Sequence, residues 1–322
     1  MNIGGIISLL GADWDRVCGL IRADLHTDVA LLEDVNERIL SHSGKMLRPL
    51  ISLLTAKALG TPNEDSLHYA AASELLHNAT LIHDDVADES SERRGFPTVS
   101  AIVGPSAAVL VGDFWLAKAV EAVCGTERFG KVVRLFSRTL SDLAEGEMYQ
   151  LEKASSADTS EEDYLRIIKC KTASLFVAAC EAGACSVDAP PELESAAREY
   201  SLALGIAFQI KDDILDYAGT GELGKPVGVD LRERKITLPL IGALASLDDD
   251  SAMRRKVLQI NEHPEYCAQL RSFVADNGGI EYAAARLKEY IDRAIDALRP
   301  VPDSPEKEAL AEIARYNVFR QV

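Results

Sequence analysis

Along most of the chain, apolar residues recur at i, i+3, i+4 spacing, the period of a helix with one buried face. LLEDVNERIL (31–40), SLHYAAASELLHNATLIHDD (66–85), FGKVVRLFSRTLSDLAEGEMYQLEKA (129–154) and EYAAARLKEYIDRAIDALRP (281–300) all carry it, and all are rich in Ala, Leu and Glu, which are good helix formers. PTVSAIVGPSAAVLVGDF (97–114) has β-branched residues but is too short and too broken by Gly to imply a sheet. DTSEED (158–163) reads as a helix start, with Ser160 three residues before Asp163. Breaks fall at Pro62, Pro97, Pro105, Pro190, Pro191, Pro226, Pro264, Pro300 and Pro305, and none sits in a low-complexity linker. The pattern predicts an all-α protein, a single-domain helical bundle spanning 1–322 around a central cavity.

With 322 residues, 47% of them hydrophobic, the chain can bury a large core. Acidic residues outnumber basic ones 51 to 34, for a net charge of −17, which argues against a nucleic-acid partner. Cys18, Cys124, Cys170, Cys180, Cys185 and Cys267 form no CxxC pair and suit buried thiols in a reducing cytoplasm. MNIGGIISLLGADWDR lacks a basic leader and is interrupted by Asp13 and Asp15, so it reads as the start of an amphipathic helix. No stretch approaches the roughly 18 apolar residues that a transmembrane segment requires.

One spelling occurs twice. LIHDDVAD (81–88) is echoed by FQIKDDILD (208–216), each an apolar helical run ending in D-D-x-x-D. In a helix Asp84 and Asp88 share a face about 6 Å apart along the axis, as do Asp212 and Asp216, with Asp85 and Asp213 beside them. Like charges so placed repel unless a cation lies between them. A single cluster is equally well a solvated acidic helix end. Two copies point to Mg²⁺, which binds through one or two carboxylates plus substrate phosphates. Two facing pairs could hold Mg²⁺ around one diphosphate, with Arg93 and Arg94 on its oxygens. Further cations lie in compact motifs. GKMLRP gives Gly44, Lys45 and Arg48, the last two at i, i+3 and able to meet one anion. KCKTASLF gives Lys171 and Thr172, and GELGKPVGVDLRERKITLP gives Lys225, Asp230 and Lys235.

These motifs together resemble the trans-isoprenyl diphosphate synthases of the polyprenyl synthetase family, most of all the long-chain octaprenyl and heptaprenyl synthases. GKMLRP resembles G-K-x-x-R-P, LIHDDVADESSERRG the first aspartate-rich motif with its R-R-G, and FQIKDDILD the second; KTASLF, GKPVGVDL and KITLP follow in the family's order. The likeness runs from about residue 40 to 240, with a helical tail beyond. Ile82–His83, where many members have Leu-His, is the main departure. The resemblance implies that Gly44, Lys45, Arg48, His77 and Arg94 hold isopentenyl diphosphate. It implies that Asp84, Asp88 and Asp212, supported by Asp85, Asp213 and Asp216, bind Mg²⁺. Arg93, Lys171 and Lys235 would grip the allylic diphosphate, Thr172 and Gln209 would lie along the allylic carbon, and Lys225 would close over the phosphates.

The expected enzyme is a prenyltransferase that extends an allylic diphosphate, farnesyl diphosphate by expectation, with isopentenyl diphosphate in repeated head-to-tail steps toward a quinone side chain. It is expected to be a cytoplasmic homodimer with peripheral membrane contact for product release. Chain length would be set behind the first motif. Ala79 sits five residues before Asp84, about 7 Å deeper at the helical rise. Short-chain relatives carry a bulky aromatic there; here Ala79 and Thr80 are small, leaving Leu76 or a deeper residue as the stop and a product longer than C20. The alternatives are a geranylgeranyl diphosphate synthase and a non-catalytic subunit of a heteromeric synthase, although such subunits tend to lose aspartates and all six stand here. A terpene cyclase would need neither the second D-D-x-x-D nor GKMLRP. A P-loop at GTGELGKP (219–226) fails because Pro226 stands where Ser or Thr should ligate the metal.

Overall fold

The computed structural model describes residues 3–42, 44–93, 95–218 and 228–319, the last three of these by backbone alone. Helices follow one another as α1 (Ile3–Leu10), α2 (Ala12–Leu25), α3 (Ala30–Ser41), α4 (Leu47–Leu59), α5 (Glu64–Ala87), α6 (Val99–Val103), α7 (Pro105–Cys124), α8 (Phe129–Ser156) and α9 (Glu161–Ile168). A π-helical turn (Lys169–Ala173) leads to α10 (Ser174–Ser186) and α11 (Pro191–Ala218). Then come α12 (Val229–Arg232), α13 (Leu238–Leu244), α14 (Ser251–Leu258), α15 (Glu265–Asp276), α16 (Gly279–Ala297) and α17 (Pro305–Phe319). Among the described residues the only strand pairing is a short hairpin, β1 (Glu92–Arg93) with β2 (Phe96–Pro97).

The fold class is therefore all-α, as the periodicity predicts. Proline marks helix starts rather than domain edges: Pro105, Pro191 and Pro305 each open a helix, where a missing N–H costs nothing. The β-branched stretch 97–114 is helical, split between α6 and α7, and the N-terminal segment forms α1 and α2. Ser160 caps α9 as its spacing predicts. Its hydroxyl accepts from the Asp163 amide (3.1 Å), and the Asp163 carboxylate accepts from the Ser160 amide (3.0 Å).

The chain packs as two compact units assembled from interleaved segments. One comprises Met1–Arg138, Leu175–Arg198 and Leu298–Glu312; the other comprises Thr139–Ser174, Glu199–Ala297 and Ile313–Val322. In the first unit α5 packs along α7, α4 and α2. Leu50, Ile51, Leu53 and Leu54 of α4 are all fully buried, because this helix is apolar all round. The Trp115 indole donates to Asn36 Oδ1 (2.8 Å), and Asn36 Nδ2 donates to the Leu25 carbonyl (2.9 Å), tying α7, α3 and α2 together. Asn63 and Ser66 cap α5 reciprocally, which fixes where the helix carrying the first aspartates begins. In the second unit α13 packs on α16 and α15 over a core of Tyr217, Leu231, Ile236, Leu240 and Leu270. Among the described residues no helix is long and apolar enough to cross a membrane.

Candidate active site

Both aspartate motifs lie at the C-terminal ends of long helices. There the unpaired carbonyls of the backbone already carry partial negative charge, so carboxylates are unfavourable. The acidic residues of α9 (Glu161, Glu162, Asp163) sit instead in its first turn, where they stabilise it. Placing three carboxylates at the wrong end of a helix twice is a pattern that a bound cation relieves.

In the first unit Asp84 is half-buried, Asp85 is buried and Asp88, the C-cap of α5, is exposed. The Asp88 amide donates to the Asp84 carbonyl (2.8 Å), so the last turn is closed and the i, i+4 relation holds. Asp85 turns inward to Arg93, whose Nε and terminal guanidinium nitrogen both lie 2.8 Å from Oδ1. Burial pushes the Asp85 carboxyl upward, and the Arg93 charge and hydrogen bond pull it back. Arg93 can reach because the chain doubles back at once. Gly95 takes a left-handed φ of 82° in the hairpin, and Thr98 locks the return by donating to the Ser90 carbonyl (2.7 Å).

Lys45 stands just ahead of a helix and Arg48 in its first turn. Pro49 fits only the first turn of a helix, so α4 starts at Leu47 behind Met46, leaving the exposed Gly44 and Lys45 ahead of it. Arg48 lies half-buried over the Phe176 ring, 4.7 Å from its centroid. His77 is half-buried on α5, and its carbonyl accepts from Thr80 Oγ1 (2.8 Å). Ala79, Leu76 and Ala72 are all buried on the same helix. Arg94 and Lys225 lie outside the described residues.

In the second unit all three aspartates fall inside α11. Asp213 is 2% exposed and is held by neutral donors: Tyr164 Oη to Oδ2 (2.6 Å) and Gln209 Nε2 to Oδ1 (2.8 Å). Gln209 Oε1 in turn accepts from Thr172 Oγ1 (2.7 Å), so Thr172, Gln209 and Asp213 form one chain of hydrogen bonds. Burial pushes the Asp213 carboxyl up to about 6, against the pull of those donors. Asp216 accepts the amides of Val229 (3.0 Å) and Asp230 (3.2 Å) and so seats α12. Burial raises its carboxyl also, and those amides oppose the rise. Asp230 lies well above the ordinary value through burial and the charges of Asp213 and Asp216. Lys171 Nζ lies 2.5 Å from Glu147 Oε1, and Lys235 pairs with Glu233. A small cavity of ≈ 80 Å³ is lined by Tyr164, Lys171, Thr172, Gln209, Asp213, Asp230 and Lys235, among others.

The structure thus brings Lys171, Thr172, Gln209, Asp213 and Lys235 to one cavity, and Asp85 to Arg93. Sequence reasoning missed Tyr164 and Glu147, whose partners come from distant segments and leave no local signal. Asp230 was visible in GKPVGVDL but had no assigned role. Among the described residues no three His, Cys, Asp or Glu side chains converge as a ready-made metal cage. The donors at the helix ends are oxygens, which suits a hard divalent cation that completes its shell with diphosphate.

A family model for polyprenyl synthetase matches residues 29–274. The chain belongs to the polyprenyl synthetase family. It is 38% identical to the octaprenyl diphosphate synthase of Escherichia coli (strain K12), over 99% of both chains. Its structure matches a decaprenyl diphosphate synthase from Rhodobacter capsulatus with a TM-score of 0.92 at 35% identity, covering 99% of each chain. It matches a polyprenyl synthase from Caulobacter crescentus CB15, solved with calcium and isoprenyl diphosphate, with a TM-score of 0.92 at 36% identity, covering 100% of this chain and 98% of the other.

Proposed function

We propose that this polyprenyl synthetase, a trans-prenyl diphosphate synthase, adds isopentenyl diphosphate repeatedly to farnesyl diphosphate and makes an all-trans product longer than C20 for a quinone side chain. The observation that carries the length is identity to an octaprenyl synthase over the whole chain, joined by a buried methyl group at position 79. With Leu76 or a deeper residue as the floor behind the small Ala79, a product near C30 to C40 is expected, the upper end being the octaprenyl length for which the Escherichia coli relative is named. The whole chain acts as a single polyprenyl synthetase domain, a reading supported by a family match that includes residues of both compact units.

Asp84, Asp88 and Asp212 bind Mg²⁺ in this reading, with Asp85, Asp213 and Asp216 in support. When bound, the cation neutralises the departing diphosphate as a Lewis acid. Lys171, Lys235, Arg93 and Lys225 add fixed positive charge to the allylic diphosphate. Gly44, Lys45, Arg48, His77 and Arg94 hold isopentenyl diphosphate so that its double bond meets the allylic carbon. Thr172 and Gln209 line that carbon, and their hydrogen bond to each other supports a fixed oxygen beside developing positive charge. Buried apolar residues behind the first motif, Ala79 and Leu76 among them, would keep water from the growing prenyl chain and its allylic cation. Loss of a proton, with the departing diphosphate as acceptor, restores an alkene, and the product is again allylic.

We also infer a cytoplasmic homodimer with peripheral membrane contact for product release. All six cysteines are free thiols, which fits a reducing compartment. Val109, Leu110 and Val120 of α7 are exposed, which fits an apolar contact with a second copy. The test is product analysis by mass spectrometry of the purified single chain with isopentenyl and farnesyl diphosphates. Ala79→Tyr should shorten the product by several isoprene units and keep turnover. A wild-type product of only C15 or C20, or an unchanged length in Ala79→Tyr, overturns the assignment. No turnover by the chain alone would favour a non-catalytic subunit.

A further inference from the structure

Gly146, in the middle of α8, lies against the π-helical turn Lys169–Ala173. A Cβ built on it would stand 2.8 Å from Cys170 Cβ and 3.2 Å from the Lys171 amide nitrogen. Carbon atoms do not pack that closely, and neither neighbour is the far end of a side chain that could swing away. Gly130, near the start of the same helix, has nothing within 4 Å of the same position. Inside a helix, as at Gly146, glycine costs about 1 kcal/mol relative to alanine. Only at 146 does packing demand it.

The turn it faces is wide. The Ser174 amide reaches back five residues to the Lys169 carbonyl, and Ser174 Oγ donates to the Cys170 carbonyl (2.6 Å). One such turn inserts an extra residue and changes the direction of the side chains it carries. Those side chains are Lys171 and Thr172. The residue after Gly146, Glu147, holds the Lys171 ammonium, while Thr172 joins the chain through Gln209 to Asp213.

We propose that Gly146 is a positioning residue: its missing side chain seats the π turn that presents Lys171 and Thr172 to the allylic diphosphate. The role rests on the function proposed above, which gives those two side chains their substrate. Gly146→Ala raises helix propensity, so a loss of activity would not come from a weaker α8. The clash would shift the turn by a fraction of an ångström to an ångström, and misplacement of that size lowers rate by up to about 10²-fold.

The experiment is steady-state kinetics of Gly146→Ala with each substrate varied, beside Gly130→Ala and the double variant Gly146→Ala/Cys170→Gly, together with a crystal structure of Gly146→Ala. The expected result is a fall of about 10²-fold in kcat/KM for the allylic diphosphate, with KM for isopentenyl diphosphate within about twofold. Gly130→Ala keeps wild-type kinetics, and Cys170→Gly, which removes the atom the new methyl group meets, restores most of the loss. The crystal structure shows Lys171 drawn away from Glu147, a readout that stands even if the wild-type chain does not turn over prenyl substrates. The role is overturned if Gly146→Ala behaves as Gly130→Ala does, if the folded double variant recovers nothing, or if the Lys171–Glu147 and Thr172–Gln209 contacts are unmoved in the crystal.

Discussion

Asp85 and Asp213 hold the same place in the two D-D-x-x-D motifs, yet their carboxylates are satisfied in opposite ways. Asp85 faces a cation, Arg93, delivered by a tight hairpin a few residues downstream. Asp213 faces two neutral donors, Tyr164 and Gln209, of which Tyr164 comes from a distant segment. The third positions differ as well. Asp88 is an exposed cap, whereas both carboxylate oxygens of Asp216 accept backbone amides and set the path of the chain from Gly228 onward. Only the first positions, Asp84 and Asp212, are alike, half-buried on the last turns of their helices. Within a repeated motif, then, the first residues are the ones whose shared setting points to a shared task, while the second and third are fitted to their own surroundings.

The largest effect is expected at the first positions. Asp84→Ala and Asp212→Ala should each lower turnover by about 10³-fold. Melting temperatures should be unchanged or slightly raised, since a carboxylate is removed from the negative end of a helix. A large loss in only one of the two would show that the motifs are not equivalent even there.

The supports of the second positions should differ in thermal unfolding. Arg93→Ala leaves the buried Asp85 without its cation and should cost about 2 kcal/mol, whereas Tyr164→Phe removes one of two neutral hydrogen bonds and should cost about 1 kcal/mol. Equal costs would erase the distinction drawn between them.

A smaller effect concerns pH. The Asp213 carboxyl titrates near 6 in the folded protein against an ordinary value of 3.8, so between those values the folded state holds the proton more tightly than the unfolded state does. Its contribution to stability is therefore full below pH 3.8 and is lost as pH rises through about 6. In metal-free protein the melting-temperature difference between wild type and Asp213→Asn should move in that window against the wild type. A difference that is flat with pH would contradict the assignment.

The helices, their proline starts, the Ser160 cap and both aspartate motifs were legible because each is written in residues close along the chain. What was not legible came from distant segments meeting. Tyr164 and Glu147 find their partners only after folding. The two compact units leave no linker to see because their segments interleave. Lys45 lies ahead of α4 and Arg48 within it, because Pro49 fixes where that helix starts. Lys171, Thr172 and Gln209 were named from their motifs, and the structure adds how they are joined: a wide turn, a hydrogen-bond chain and the glycine that gives them room.

In the proposed function both aspartate motifs work through a divalent cation on a diphosphate. The most direct measurement is turnover of isopentenyl and farnesyl diphosphates by the purified chain after EDTA treatment, before and after Mg²⁺ is restored. Activity should disappear with chelation and return with Mg²⁺; full activity in the EDTA-treated enzyme would rule the metal role out.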